Sequence, residues 1–213
     1  MMNKPKLLVQ FDVDSTFIQQ EAIELLAAKA GVLKEVAHIT DSAMRGEIDF
    51  AQSLIARVQL LKGLPYAELE KVQQEIRLTD GAQELVEKLH ALGHSVSLVS
   101  GGFVQIIAPT IERLSIKYFR ANVLEIQSGQ LTGRIEGQII DRAAKATALL
   151  EFAALSGVEI TNTVAIGDGA NDLDMMAVAG LSIAFNARPI VIAAADLSIN
   201  EPSLRGVSKL LGL

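Results

Sequence analysis

Short apolar segments alternate along this chain with longer segments in which apolar residues recur at helical spacing. The apolar segments are residues 6–11, 95–99, 163–166, 181–185 and 197–199. Segments this short and this apolar are typical of strands buried on both faces of a parallel sheet. Their alternation with helices predicts an α/β fold in which helices cover both faces of the sheet. In such folds, ligands bind at the carboxyl ends of the strands.

Residues 18–78 interrupt this alternation. Apolar side chains recur there at helical spacing between glycine and proline breaks, without a strand pattern. The sequence therefore predicts a helical insertion at residues 18–78 and a core built from residues 1–17 and 79–213. Within the core, apolar and polar residues alternate over residues 119–140, which favours a strand or a hairpin.

Composition narrows the classes of function. The chain has 213 residues, of which 50% are hydrophobic, and a formal net charge of −6. An acidic chain without a basic block is a poor candidate for nucleic-acid binding. The absence of cysteine excludes disulfides, a cysteine nucleophile and thiolate metal ligands. No segment has the pattern of a membrane span or a signal peptide, so we expect a cytoplasmic protein. Its partner is expected to be a small molecule, and the chain either a monomer or a homodimer.

Two aspartates follow the first apolar segment. Asp12 and Asp14 come directly after it, where the chain bends away from the sheet. The first carboxylate can attack a phosphorus atom and the second can transfer protons, and phosphoryl transfer requires both groups. Because aspartate is also common in turns, a purely structural role is the alternative.

Two further groups suit a bound phosphate. Ser100, Gly101 and Gly102 form a small turn at a strand end, where a hydroxyl and backbone N–H groups can hold phosphate oxygens ahead of a helix. Lys145 lies near the start of a helix between alanines and can neutralise the phosphate. The alternatives are an ordinary turn in the first case and a surface lysine in the second.

An acidic loop follows another strand and contains Asp168, Asn171 and Asp172. Together with Asp12, Asp168 provides the carboxylate oxygens that Mg²⁺ prefers. The spacing does not match a calcium-binding loop, which needs an oxygen ligand at its third position and a glycine at its sixth. The alternative is a loop that caps the helix after it.

Glu21 and Arg57 stand out in the insertion. Arg57 falls on the apolar stripe of a predicted helix, so its charge needs a partner. The partner is either the carboxylate of a ligand or an internal ion pair with Glu21 or Glu24, and the residues leave both open. The three histidines are scattered without metal-binding spacing, and we interpret them as structural.

Taken together, these motifs resemble the haloacid dehalogenase superfamily of phosphatases. In order they are residues 12–16, the Ser-Gly-Gly at 100–102, Lys145 and the loop at 167–172. The insertion, through residues 21–23, 39–50 and 53–63, is further similar to the phosphoserine phosphatase family within that superfamily. The resemblance implies a Rossmann-like parallel sheet core with an inserted α-helical cap. It also implies hydrolysis of O-phosphoserine to serine and phosphate, the last step of serine biosynthesis, through an aspartyl-phosphate.

The same resemblance implies roles for single residues. Asp12 is the nucleophile and Asp14 the general acid/base. Mg²⁺ is held by Asp12, the main-chain carbonyl of Asp14, and Asp168, while Asp172 places a bound water. The substrate is bound by Glu21, Met44, Phe50, Arg57, Ser100, Gly101, Lys145 and Asn171.

Two other functions stay open. The first is the same chemistry on another small phosphomonoester, or transfer of the phosphate to a second alcohol; the pairing of Glu21 with Arg57 favours a zwitterionic substrate instead. The second is a non-catalytic regulatory protein that is switched by phosphorylation of Asp12. Asp14 and the long insertion argue against a switch, because a switch needs neither.

Overall fold

The computed structural model describes residues 5–44 and 47–213, without the side chain of Met44. The strands are β1 (Leu8–Asp12), β2 (Ser95–Phe103), β3 (Tyr118–Gln127), β4 (Gln130–Glu136), β5 (Thr163–Gly167), β6 (Leu181–Phe185) and β7 (Leu197–Ile199). In the described residues these seven strands form one sheet in the order β4-β3-β2-β1-β5-β6-β7. Neighbouring strands are parallel except β3 and β4, which form an antiparallel hairpin. The predicted α/β fold is confirmed.

Helices fill the segments between the strands. Those of the insertion are α1 (Ala22–Ala30), α2 (Leu33–Met44), α3 (Phe50–Leu60) and α4 (Tyr66–Glu75). Those of the core are α5 (Ala82–Ala91), α6 (Val104–Arg113), α7 (Arg142–Ser156), α8 (Leu173–Val178), α9 (Pro189–Ala194) and α10 (Arg205–Leu210). Helices α5, α6 and α10 pack on one face of the sheet and α7, α8 and α9 on the other. No helix of the described chain has both the length and the apolar character needed to cross a membrane.

The register of the central strands aligns their carboxyl ends. Leu8 of β1 lies opposite Ser95 of β2 on one side and Thr163 of β5 on the other. From that start, β1 ends at Asp12, and Asp168 follows the end of β5. The polar residues after these strands therefore meet at one edge of the sheet, as the sequence predicted.

The insertion packs on the core through an apolar cluster that it shares with α6 and the β3–β4 hairpin. The core side chains of this cluster are Phe103, Ile106, Leu124 and Leu131. Backbone hydrogen bonds reinforce the contact, from Gly63 N to Leu131 O at 2.8 Å and from Tyr66 N to Gly129 O at 2.9 Å. The four helices fall between the predicted limits, while residues 18–78 as the boundaries of a separate unit stay a prediction.

The structure corrects one local prediction. Strand β2 was expected to end at Val99, but it continues to Phe103 through an irregularity in its pairing with β3. Helix α6 then begins at Val104. Ser100 and Gly102 therefore lie in an irregular strand, and the predicted turn directly before a helix is wrong. The short helices α9 and α10 were not predicted at all.

Candidate active site

A buried lysine joins two aspartates at the floor of the site. Lys145 has no exposed surface, and its Nζ donates hydrogen bonds to Asp12 Oδ1 and, at 2.7 Å, to Asp172 Oδ1. The alternative of a surface lysine is therefore wrong. A fully buried ammonium between two carboxylates is a fixed positive charge, which can oppose negative charge that develops at Asp12.

Strand periodicity and one buried glutamine explain this placement. Side chains alternate along β1, so Gln10 and Asp12 face α7 while Phe11 faces the opposite layer. Gln10 Nε2 donates to the main-chain oxygen of Lys145 at 3.2 Å, and Ser97 Oγ donates to Gln10 Oε1 at 3.2 Å. Asp141 caps the start of helix α7, and its side chain accepts from Ala144 N at 2.9 Å. Together these bonds hold the first turn of α7 over Asp12.

The second aspartate is aimed by the turn that follows β1. Residues 13–17 form this tight turn, in which Ser15 has a φ of 60°. Asp14 Oδ1 accepts from Ala22 N at 2.7 Å, and Asp14 Oδ2 accepts from Ser100 Oγ at 2.8 Å. Gly102 leaves room for this carboxylate, because a Cβ would lie 2.6 Å from Asp14 Oδ2 and would displace it. Both predicted carboxylates thus reach the same cavity.

The acidic loop contributes a potential cation site. Asp168 Oδ1 accepts from Thr16 Oγ1 at 3.2 Å, and Asp172 Oδ2 accepts from the backbone N–H groups of Asp168 and Gly169 at 3.2 and 3.1 Å. Carboxylate oxygens of Asp12, Asp168 and Asp172 lie within 4.8 Å of one another. This set of hard oxygen ligands fits a divalent cation.

The charges of the floor are unbalanced without a cation. Burial, followed by the negative charge of Asp172, raises the pKa of Asp12 well above its usual range. The same two causes raise the pKa of Asp168 to about 6. Burial alone would lower the pKa of Lys145, but Asp12 and Asp172 outweigh it and raise that pKa. The lysine thus stays charged, and a further cation would relieve the excess of negative charge.

A cavity of about 700 Å³ lies above this floor, and the insertion forms its other wall. Its insertion residues include Glu21, Thr40, Phe50, Ser53 and Arg57. Phe50 reaches across to the end of β2, since a Cβ on Gly101 would lie 2.9 Å from Phe50 Cζ. The insertion therefore covers the aspartates.

Arg57 has no acidic partner among the residues that the structure describes. Its Nε donates to the main-chain oxygen of Ser53 at 3.2 Å, and its Nη1 lies 3.5 Å from Thr40 Oγ1. Neither Glu21 nor Glu24 forms the alternative internal ion pair with it in the described chain. Burial lowers the pKa of Arg57, and the negative charges of Glu21, Asp14 and Glu24 offset this effect only in part.

Glu21 faces the same cavity from the start of α1. Its Oε1 accepts from Ser15 Oγ at 2.6 Å, and solvent still reaches the residue. Partial burial, followed by the negative charge of Asp14, raises its pKa to about 7. The cavity therefore presents an anion and a cation from the insertion opposite the aspartates of the core.

The structure brings most of the predicted site residues together. Asp12, Asp14, Glu21, Phe50, Arg57, Gly101, Asp168 and Asn171 line the cavity, while Ser100, Lys145 and Asp172 lie behind its wall. The side chain of Met44 is outside the described part of the chain. Sequence reasoning gave no role to Thr16, Gln10 or Ser53. Thr16 lies in the motif at residues 12–16, and Gln10 is a polar residue inside an apolar segment, but Ser53 gave no signal of its own.

Comparison with known proteins defines the class. A model of the haloacid dehalogenase-like hydrolases matches residues 9–177. The chain belongs to this family of hydrolases.

Several relatives carry the name of one enzyme. The phosphoserine phosphatase of Streptomyces coelicolor is 55% identical over 206 residues, which cover 97% of this chain and 50% of that protein. The phosphoserine phosphatase of Streptococcus thermophilus is 47% identical over 210 residues, covering 99% and 98%. A solved structure described as a phospho-aspartyl intermediate analogue of phosphoserine phosphatase has a TM-score of 0.91 and 43% identity, covering 97% of this chain and 99% of that one. The chain thus spans about half the length of some relatives and nearly all of others.

Proposed function

We propose that the chain is a Mg²⁺-dependent phosphatase that hydrolyses O-phosphoserine to serine and phosphate. The observation that carries this proposal is a buried Asp12 held by Lys145, beneath a cavity whose far wall presents Glu21 and Arg57. An anion and a cation on that wall complement the ammonium and carboxylate of an amino acid. The relatives named as phosphoserine phosphatases support the same substrate.

The reaction has two steps in this proposal. Asp12 attacks phosphorus and forms an aspartyl-phosphate, while Asp14 gives its proton to the departing serine oxygen. Asp14 then accepts a proton from a water that attacks the aspartyl-phosphate, which releases phosphate and restores Asp12. Lys145 opposes the negative charge on the phosphoryl oxygens throughout.

The remaining polar groups bind and orient the ligand and the cation. Mg²⁺, held by Asp12 and Asp168 with the main-chain carbonyl of Asp14, would neutralise phosphoryl charge. Asp172 would place a water on it, since both its oxygens are already engaged by the protein. The substrate-binding set is Glu21, Met44, Phe50, Arg57, Ser100, Gly101, Lys145 and Asn171. The helical insertion at residues 18–78 acts as a cap that excludes water from the first step.

The test is release of phosphate from O-phospho-L-serine, with Mg²⁺ and with EDTA, beside phosphothreonine, phosphoethanolamine and a sugar phosphate. We expect fast, Mg²⁺-dependent release that is selective for phosphoserine. Preference for another ester would be compatible with the aspartyl-phosphate mechanism but would reject O-phosphoserine as the substrate. Transfer of phosphate to an added alcohol would indicate a phosphotransferase. Stable phosphorylation of Asp12 without turnover would indicate a regulatory switch.

A further inference from the structure

Ser53 carries the only buried side-chain nitrogen or oxygen without a hydrogen-bond partner in the described part of the chain. The residue has no exposed surface, and it lies on α3 at the wall of the cavity. A buried hydroxyl without a partner is unfavourable, so buried polar groups are nearly always paired. This orphaned Oγ therefore points to a partner that is absent from the protein itself.

The position of Ser53 relates it to Arg57. The two residues are four apart on α3 and thus lie on the same face of the helix. Arg57 Nε donates to the main-chain oxygen of Ser53 at 3.2 Å, and both side chains line the same cavity. A ligand group bound by the guanidinium consequently arrives next to the Ser53 hydroxyl.

Ser53 differs from the other hydroxyl near Arg57 in having its proton available. Thr40 Oγ1 donates to Val36 O at 3.0 Å and lies 3.5 Å from Arg57 Nη1, where it acts as an acceptor. Its proton is already used within α2. The Ser53 hydroxyl donates to no group of the described protein, so it can donate to an anion.

We propose that Ser53 is a specificity-determining residue, whose hydroxyl donates a hydrogen bond to the substrate carboxylate held by Arg57. A carboxylate has about four acceptor sites, and a guanidinium fork occupies only two of them. Because solvent does not reach Ser53 in the structure, the bond requires the carboxylate to move Arg57 away from the main-chain oxygen of Ser53. The inference rests on the proposed function and deepens it, since it predicts selection for phosphate esters that carry a carboxylate.

A structural role for Ser53 makes different predictions. Serine in a helix can turn its hydroxyl to the carbonyl four residues earlier, here that of Asp49. In that case, Ser53→Ala would leave the Michaelis constant for every substrate unchanged. If the hydroxyl instead binds a ligand, Ser53→Ala removes an unpaired buried group. Without substrate, the variant should then be at least as stable as the parent.

The experiment measures kcat, KM and the melting temperature of Ser53→Ala on O-phospho-L-serine and on phosphoethanolamine, which lacks the carboxylate. We expect KM for phosphoserine to rise about tenfold, the effect of one hydrogen bond to a charged group, with kcat little changed. The loss on phosphoethanolamine should be less than about twofold, and the melting temperature should not fall. Equal losses on both esters, or no loss on phosphoserine, would overturn the proposal.

Two further variants isolate the interaction. In Arg57→Ala, the added change Ser53→Ala should have almost no effect on KM, because the carboxylate is no longer held beside it. Gln52→Ala, at an exposed neighbour on the same helix, is the matched control and should behave like the parent. Failure of the parent chain to turn over phosphoserine would reject the proposed function together with this inference. Turnover by the parent with an unchanged KM in Ser53→Ala would reject the inference alone.

Discussion

At the scale of single residues, the site depends on a charge arrangement that local sequence reveals only in part. Asp12 and Asp14 were predictable because a strand end followed by two carboxylates is a recognisable pattern. The burial of Lys145 was not, since its flanking alanines are compatible with either a surface or a floor position. Its role became visible only when α7 was placed against β1.

The nucleophile assignment gives the first prediction. Asp12→Asn should reduce phosphate release from O-phosphoserine by at least about a thousandfold, because an amide cannot form the acyl-phosphate. The folded state should persist, since the amide oxygen can still accept from Lys145 Nζ. Phosphate release and thermal unfolding measure the two effects. Turnover within about tenfold of the parent would contradict the assignment.

Residues such as Gln10 and Ser53 mark the limit of sequence reasoning at this scale. Gln10 looks misplaced inside an apolar strand until the carbonyl of Lys145 lies above it. Ser53 is an unremarkable helical serine until its neighbours are known. The contact of Gln10 joins segments far apart in the chain, and the role proposed for Ser53 depends on a ligand. Neither leaves a periodic signal in the sequence.

At the scale of elements, the contact between β1 and α7 positions the site. The strand periodicity that predicted β1 also determines that Asp12 faces the α7 layer, so this part followed from sequence. The continuation of β2 through Ser100 to Phe103 did not follow, because two adjacent glycines weaken a strand and mark an irregularity in it. Here pairing of Phe103 with Asn122 of β3 keeps the segment extended.

The polar contact between these two elements gives a second prediction. Gln10→Leu should lower the free energy of unfolding by about 2 kcal/mol, because Ser97 Oγ loses its buried acceptor. The double change with Ser97→Ala should recover most of that stability, since both partners are then apolar. Activity should stay below the parent in both variants, because Lys145 O has lost its bond to the strand.

Urea denaturation and phosphate release test these expectations separately. Ser97→Ala alone serves as the control, since it keeps the Gln10 contact with α7. Full activity in the double variant would show that Gln10 contributes only to stability. A double variant no more stable than Gln10→Leu would contradict the pairing argument.

At the scale of the whole molecule, the free energy of unfolding depends on the protonation of the buried aspartates of the site. The pKa of Asp168 is about 6 in the folded protein, above its ordinary value of 3.8. The folded state therefore keeps this proton at a pH where the unfolded chain loses it, and stability falls as the pH rises from about 4 to 6. Above that range, crowded carboxylates oppose folding, and a bound cation would offset them.

This coupling gives a third prediction. Mg²⁺ at about ten times its dissociation constant should raise the melting temperature by roughly 5 °C at pH 7.5. The rise should be much smaller at pH 5, where protons compete for the same carboxylates. Differential scanning calorimetry at constant ionic strength measures it. Asp168→Asn should abolish the difference between the two pH values, and an equal rise in parent and variant would place the cation elsewhere.

The contact between the insertion and the β3–β4 hairpin has a consequence for how this chain can be recombined. The hairpin is part of the surface on which the insertion packs. The contact consists of backbone hydrogen bonds at Gly63 and Tyr66 and of the side chains of Leu124 and Leu131. A transplant of residues 18–78 alone into a different hydrolase would lose these pairings and expose apolar surface. Because Phe103 and Ile106 belong to the same apolar cluster, the smallest exchangeable module comprises two segments that are remote in sequence, residues 18–78 and 103–136, and chimeras should carry both or neither.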